Sequence, residues 1–312
     1  MEFDYRRETR NGFVVTEQRK KIWAVELDIL QRLLELCQKH NLRCWLDSGS
    51  LLGAIRHHGF IPWDDDIDVV MMRNDYDILM EIGPKEFKYP LFFQSAYTDK
   101  NYFRGHVQIR NAETTAIIPY EYDRGFNQGI FIDVFPLDAV PENDDKYTEL
   151  EEQSHHMLSL MQSYHHLDVL GIKQWLNNIK NWYKSKKEID KVGFVSYYRA
   201  YEELFRKYSV TESPLLTKLS AFKTKYKGID RTFFDETLFV DFENIKVPVP
   251  KEYDSYLKLM FGDNYMIPLQ VSTLHGGLFF DTEHSYKYYL PSHRWRFILM
   301  ILKMKLRKLL RM

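Results

Sequence analysis

The stretches WLDSGSLLGAIR (45–56) and GFIPWDDDID (59–68), separated only by His57 and His58, decide how this chain of 312 residues is read. Four carboxylates, Asp64, Asp65, Asp66 and Asp68, fall within five positions. Side by side they repel, so the cluster needs cations or a solvated loop to be tolerated. A solvated acidic turn is the ordinary reading of such a run. Three neighbouring features favour a cation instead. Ile67, Val69 and Met71 alternate with Asp66, Asp68 and Val70, so 66–72 is expected to be a strand with both aspartates on one face. Two oxygen ligands pointing one way suit a hard cation, Mg²⁺ or alternatively Mn²⁺. Gly49-Ser50 is expected in a turn before a small-residue helix over 51–57, where backbone N–H groups and the serine hydroxyl could hold a phosphate. Asp133 interrupts the apolar run GIFIDVF (129–135), where a carboxylate is expensive unless a metal or partner compensates it.

Outward from this block the chain shows both periods. Ile22/Trp23, Leu27, Leu30, Leu33/Leu34 and Cys37 predict a helix over 17–40, with Thr16 as its N-cap. Alternation predicts strands at 105–110, 114–118 and 129–135. After Pro136 the texture turns helical, over 144–166, 173–188, 194–208 and 213–226. A hairpin is expected over 238–249 and a helix over 251–261 that ends at Gly262. The pattern predicts an α+β protein: a core over 17–141, a helical insertion over 142–235, a return to the core over 236–291 and a basic helix over 292–312.

Composition narrows the function. The chain is 45% hydrophobic, 15% aromatic and 28% charged, which excludes a disordered or fibrous protein. A net charge of −1 gives no reason to expect nucleic acid as a partner. Cys37 and Cys44 are too few for a disulfide framework or a structural zinc site. The N-terminus lacks the apolar stretch of a secretory signal, and no segment approaches the roughly 20 apolar residues of a membrane span. The charge is nevertheless sorted. Residues 292–312 carry Arg294, Arg296, Lys303, Lys305, Arg307, Lys308 and Arg311 with no acid. Their interleaving with Met304, Leu306, Leu309 and Leu310 resembles a basic amphipathic helix on an anionic membrane, with Trp295 as an interfacial anchor. The competing expectation is a helix that docks its apolar face on the domain.

A Gly-Ser turn, a paired-Asp strand and a third Asp on a later strand together resemble the nucleotidyltransferase superfold of the polymerase-beta type. The block 46–56 followed by Ile61-Pro-Trp-Asp-Asp-Asp-Ile-Asp68 narrows the match: it resembles the signature of the LicD family. That family includes bacterial phosphocholine transferases and, more distantly, the fukutin-type ribitol-phosphate transferases. It usually has Thr where this chain has Ser50, which keeps the hydroxyl. Residues 129–138 and a segment running from Phe242-Glu-Asn to Pro268 look like further family blocks, whereas 142–235 matches only in helical texture.

The resemblance implies a nucleotidyltransferase-like mixed sheet flanked by helices. It also implies a reaction, in which a CDP-activated alcohol such as CDP-choline or CDP-ribitol gives its phospho-alcohol to a sugar hydroxyl of a surface glycan, releasing CMP. Asp66, Asp68 and Asp133 would hold Mg²⁺, and Asp133 could instead take the acceptor proton. Gly49, Ser50 and Arg56 would bind phosphate, although Arg56 could equally pair with the acidic loop. Asp47 is expected to cap the turn, Asp64 to be an additional or more distant ligand, and Asp65 to face away. Arg110 is placed near the site. The expected setting is the cytoplasm, on the inner face of the membrane beside a glycan or lipid-linked glycan acceptor. The rivals are a nucleotidyltransferase that makes an activated small molecule and a non-catalytic glycan- or membrane-binding protein. The aromatic groups Tyr120–Tyr122 and Tyr286–Tyr289 could cage a quaternary ammonium or simply pack.

Overall fold

The computed structural model describes residues 3–164, 175–223, 225–269, 277–290, 295–301 and 303. A short antiparallel hairpin, β1 (Glu8–Arg10) and β2 (Phe13–Val15), leads into helix α1 (Glu17–His40). Thr16 caps α1 by accepting from Arg19 N at 3.2 Å, and Asn41 closes it in the left-handed region at φ 54°. The apolar face of α1, with Trp23, Leu27, Leu30 and Leu33, lies in the main core. Strand β3 (Trp45–Leu46) then feeds helix α2 (Ser48–His57), and β4 (Asp68–Met72) feeds α3 (Arg73–Glu86).

The sheet is completed by β5 (Leu91–Gln94), β6 (Val107–Asn111) and β8 (Ile130–Ala139), with β9 (Leu215–Thr217) and β10 (Ile229–Asp230) at one edge. The strand between them in sequence, β7 (Thr115–Ile117), pairs elsewhere, with β13 (Phe279–Asp281). The main order is β10-β9-β8-β4-β3, with β6 also on β8 and β5 on β6; β4 and β8 run parallel and their neighbours antiparallel. The fold is therefore α+β, a mixed sheet flanked by helices.

Strand β8 is buried along its whole length and runs past Pro136, where the sequence suggested that strand structure ends. The register explains this. On the flank opposite β4, pairing with β6 stops at Val134 and pairing with β9 starts at Asp138. Pro136 sits in the gap, where a missing N–H breaks no ladder bond.

Between β8 and β9 the chain makes helices α4 (Asp144–Tyr164), α5 (Trp175–Ile189) and α6 (Phe194–Arg206), whose inward residues form a second cluster around Leu150, Met161, Tyr198, Tyr201 and Phe205. The helix expected over 213–226 is not formed. Leu215–Thr217 pairs with the end of β8 instead, because β8 offers unpaired edge there and three apolar or β-branched residues can use it. Beyond this edge, β11 (Thr237–Phe242) and β12 (Ile245–Pro250) make the expected hairpin, and α7 (Tyr253–Phe261) ends at Gly262, φ 84°.

The short helix α8 (Tyr286–Tyr289) and the helical residues 295–301 cover β7. Phe297 and Ile301 are buried against Ile117, Tyr122 and Tyr289, so this part of the basic segment docks on the domain; Trp295 is exposed. Residues 291–294, 302 and 304–312 lie outside the described residues. Among the described residues, no helix is long and apolar enough to cross a membrane. Tyr122 stacks on Phe297 and Tyr289 packs on Phe279, so both tyrosine groups contribute rings to packing.

Candidate active site

The register of β4 and β8 places Asp68 directly beside Asp133. Asp133 N donates to Ile67 O at 2.9 Å, which fixes the two acids at one level of the sheet. Asp66 is not on the strand, as expected, but in the extended segment just before it; its neighbour Ile67 is buried and Asp66 itself half-buried. Asp66 and Asp68 nevertheless act on each other and on Asp133. Burial, followed by the charges of Asp64 and Asp133, pushes the Asp66 carboxyl well above the ordinary carboxylate range. Burial and the charges of Asp66 and Asp133 do the same to Asp68.

Asp133 is oriented by Gln108 and His106. Its Oδ1 accepts from Gln108 Nε2 at 2.8 Å and meets His106 Nε2 at 3.1 Å. Gln108 is held in turn by Arg110, whose Nη2 donates to Gln108 Oε1 at 2.5 Å and whose Nη1 donates to Gly129 O at 2.6 Å. Its Nε bonds to Gln94, and the guanidinium lies over the Phe131 ring. Burial lowers the Arg110 guanidinium to about 10. Arg110 is thus engaged by Gln94, Gly129 and Gln108, and it fixes the amide that faces Asp133. Neither His106 nor Gln108 was singled out in the sequence, although polar residues at 106, 108 and 110 on one face of an otherwise apolar strand were a usable signal.

Helix α2 begins at Ser48, so Gly49 and Ser50 lie in its first turn rather than in a turn before it. Ser48 adopts φ 48°, a left-handed backbone uncommon outside glycine, at the site itself. Ser50 is buried and its Oγ accepts from Asp68 N at 2.9 Å, while Asp47 N donates to Asp68 O at 2.9 Å. The helix start therefore clamps the strand that carries Asp68. Gly49 has a specific reason to be glycine: a Cβ there would stand 2.7 Å from Asp64 Oδ2.

Asp47 does not cap α2 with its side chain. It is fully buried and engaged behind the helix, accepting from Lys218 Nζ and from Tyr256 OH at 2.5 Å, with Ser48 Oγ at 2.9 Å. Asp47 holds the buried Lys218 ammonium above its usual range although burial opposes this. Lys218 and Tyr256 come from distant segments, so sequence spacing gave no hint that they meet Asp47.

Asp64, Asp65 and Asp66 can each offer an oxygen within 4.8 Å of the others. Asp65 is buried, contrary to the expectation that it faces away. The donor set here and at Asp68 and Asp133 is oxygen only, which suits a hard divalent cation. Arg56 is half-buried at the end of α2 and donates to Tyr265 O at 2.6 Å and His57 Nε2 at 2.9 Å. It makes no ion pair with the acidic loop, and burial alone lowers its guanidinium. His57 is the last residue of α2, and burial and Arg56 depress its imidazole to about 4.

With this geometry in view, comparison with known proteins is informative. Residues 41–166 match the family described as "LicD/FKTN/FKRP, nucleotidyltransferase domain". The chain carries a LicD-family domain. That span holds α2, the acidic loop, β4 and Asp133 on β8. Among curated relatives, the lipopolysaccharide cholinephosphotransferase LicD of Haemophilus influenzae is 26% identical over 253 residues, covering 78% of this chain and 89% of its own length. An uncharacterized protein of Rickettsia prowazekii, RP689, is 43% identical over 65 residues, 20% of this chain and 24% of its own. One of Rickettsia typhi, RT0683, is 47% identical over 51 residues, 16% of each chain. The LicD-family match includes Asp66, Asp68 and Asp133, which the sheet brings together.

Proposed function

We propose that the protein transfers a phospho-alcohol, phosphocholine in the first instance, from a CDP-activated donor to a sugar hydroxyl of a surface glycan, with CMP as the leaving group. The observation that carries this reading is the in-register pairing of Asp68 and Asp133 beside Asp66, at the start of a helix whose first turn holds Gly49 and Ser50. The alignment over most of the chain with a lipopolysaccharide cholinephosphotransferase supports phosphocholine as the transferred group and lipopolysaccharide as an acceptor class.

Phosphoryl-type transfer asks mainly for positioning and charge neutralisation along the in-line axis. Asp66, Asp68 and Asp133 would hold Mg²⁺, or Mn²⁺ in its place, and a bound cation would neutralise the diphosphate and the departing CMP. The mutual repulsion of Asp66, Asp68 and Asp133 fits that role, because a cation relieves it. Gln108 and His106 keep the Asp133 carboxyl in one orientation, as a ligand or as the acceptor of the sugar proton. Arg56, with no carboxylate partner among the described residues, would be a cation available to a donor phosphate.

The experiment supplies labelled CDP-choline with lipopolysaccharide, and separately CTP with labelled phosphocholine. Label entering glycan with release of CMP is the expected result. CDP-choline formed in the second mixture would favour the nucleotidyltransferase alternative, which the family description keeps in view. Failure of the protein to bind either a divalent cation or CDP-choline in calorimetry would favour a non-catalytic glycan-binding role. A peripheral contact with an anionic membrane, made by the basic residues 303–311, would bring the enzyme to a lipid-linked acceptor. Truncation should start after Ile301, since Phe297 and Ile301 belong to the core. The expected outcome is loss of vesicle binding with soluble-substrate activity retained.

A further inference from the structure

Asp47 occupies the N-cap position of α2 with the extended backbone of an ordinary cap, φ −130° and ψ 166°. An aspartate there usually accepts from the N–H of the second or third helical residue, here Gly49 or Ser50. This one does not. The ladder of α2 opens with Leu51 N donating to Asp47 O at 3.0 Å, so the N–H groups of Ser48, Gly49 and Ser50 precede it. The carboxylate that would serve them is taken by other donors. Lys218 Nζ and Ser48 Oγ both donate to its Oδ2, the serine at 2.9 Å, and Tyr256 OH donates to its Oδ1 at 2.5 Å. Lys218 Nζ also lies 3.4 Å from Ser48 Oγ. Asp47, Lys218 and Tyr256 are each at most 1% exposed, so the carboxylate is held where solvent does not reach it.

The two outside holders come from beyond the matched domain. Residues 41–166 contain the turn, whereas Lys218 follows β9 at the return of the helical excursion and Tyr256 sits on α7. Stability alone does not call for a buried Lys–Asp pair, since apolar residues of similar volume often do as well. What this pair does locally is keep a negative charge away from a helix N-terminus. For an anionic ligand that is decisive, because Asp47 in the cap would take the same N–H groups and repel the ligand by charge. We propose that Lys218 and Tyr256 are positioning residues that hold the Asp47 carboxylate out of the cap of α2 and so leave its first turn open to the diphosphate of the donor. This rests on the phosphate-transfer reading above and adds to it how the turn is kept open.

Calorimetry of CDP-choline binding to the full-length chain with manganese present, together with amide hydrogen exchange at Gly49 and Ser50, tests this. Lys218→Met frees Asp47 to turn into the cap. It should weaken CDP-choline binding about tenfold and slow exchange at Gly49 or Ser50. Turnover should show a raised KM for the donor with kcat little changed. Adding Asp47→Ala removes the competing carboxylate, so the double variant should recover most of the lost affinity and the fast exchange. A merely structural pair would not show that reversal. Tyr256→Phe keeps its ring against Phe233 and Phe234 and should move both readouts the same way by less, which serves if Lys218→Met folds poorly. In a wild type that binds CDP-choline, unchanged affinity or unchanged exchange in these variants, or a loss that Asp47→Ala does not relieve, overturns the proposal. A wild type that binds no CDP-choline, while Lys218→Met still slows exchange at these amides, sinks the donor reading and upholds the hold on Asp47.

Discussion

Strand β8 carries two buried acids five residues apart, Asp133 and Asp138, and they are treated in opposite ways. Asp138 is fully enclosed and closed by Arg73, whose Nε and Nη2 reach its two oxygens at 2.6 and 2.9 Å, with Ser220 adding a hydrogen bond. This is a bidentate pair with nothing left to bind. Asp133 meets an amide and an imidazole, and its charge acts on Asp66 and Asp68. One strand therefore carries one acid closed by an arginine and one set beside other acids. Burial alone does not separate a structural acid from a functional one; the sign of its neighbours does.

Substitution should split the pair. Asp133→Asn is expected to lower transfer about a thousandfold or more while thermal unfolding stays at or above the wild-type temperature. Asp138→Asn should instead lower stability, by about 3–5 kcal/mol, because the buried Arg73 is left with only Asp77, at 3.6 Å, as counter-charge; denaturant unfolding measures it. An Asp138 variant of wild-type stability would break the comparison. A smaller effect is expected one layer out. Gln108→Leu removes the donor that orients Asp133 and should weaken manganese binding about 10- to 100-fold, with little change in fold. Arg110→Met should do the same through Gln108.

The smallest expected effect concerns a compensated histidine. His57 titrates near 4 in the folded chain against 6.5 for a free imidazole. Between those values the unfolded chain binds the extra proton, so stability rises with pH across the window and is lost as pH falls through it. A modest loss is expected, since His57 is only half-buried, and His57→Gln should flatten that part of the pH profile.

Much of this was legible in the sequence. The helix over 17–40, the strand through Asp133, the hairpin ending in Val249-Pro250 and the stop at Gly262 carry local signals of period, cap or turn. What failed was non-local. Leu215–Thr217 looked helical because three residues carry no period, and only the free edge of β8 makes them a strand. Asp47 read as a cap because Lys218 and Tyr256, its real partners, lie 171 and 209 residues away. Glu26, buried on α1, was within reach: an acid on the apolar stripe of a helix is a local anomaly. His106 and Gln108 likewise broke the apolar texture of their strand.

The gap at Pro136 has a consequence for how this chain can vary. The chain leaves the sheet after Ala139 and rejoins it at Leu215, and the exit and entry touch: Val140 N donates to Leu215 O at 2.9 Å, and Ser213 Oγ to Val140 O at 2.9 Å. The helical excursion thus leaves and rejoins the sheet at one place, while its last helix is fastened to the core by Arg206 on Asp77 and Tyr198 on the carbonyl of Arg104. Because loop closure grows only slowly with length, residues can be gained, lost or exchanged within it while the level of Asp133 against Asp68 stays fixed.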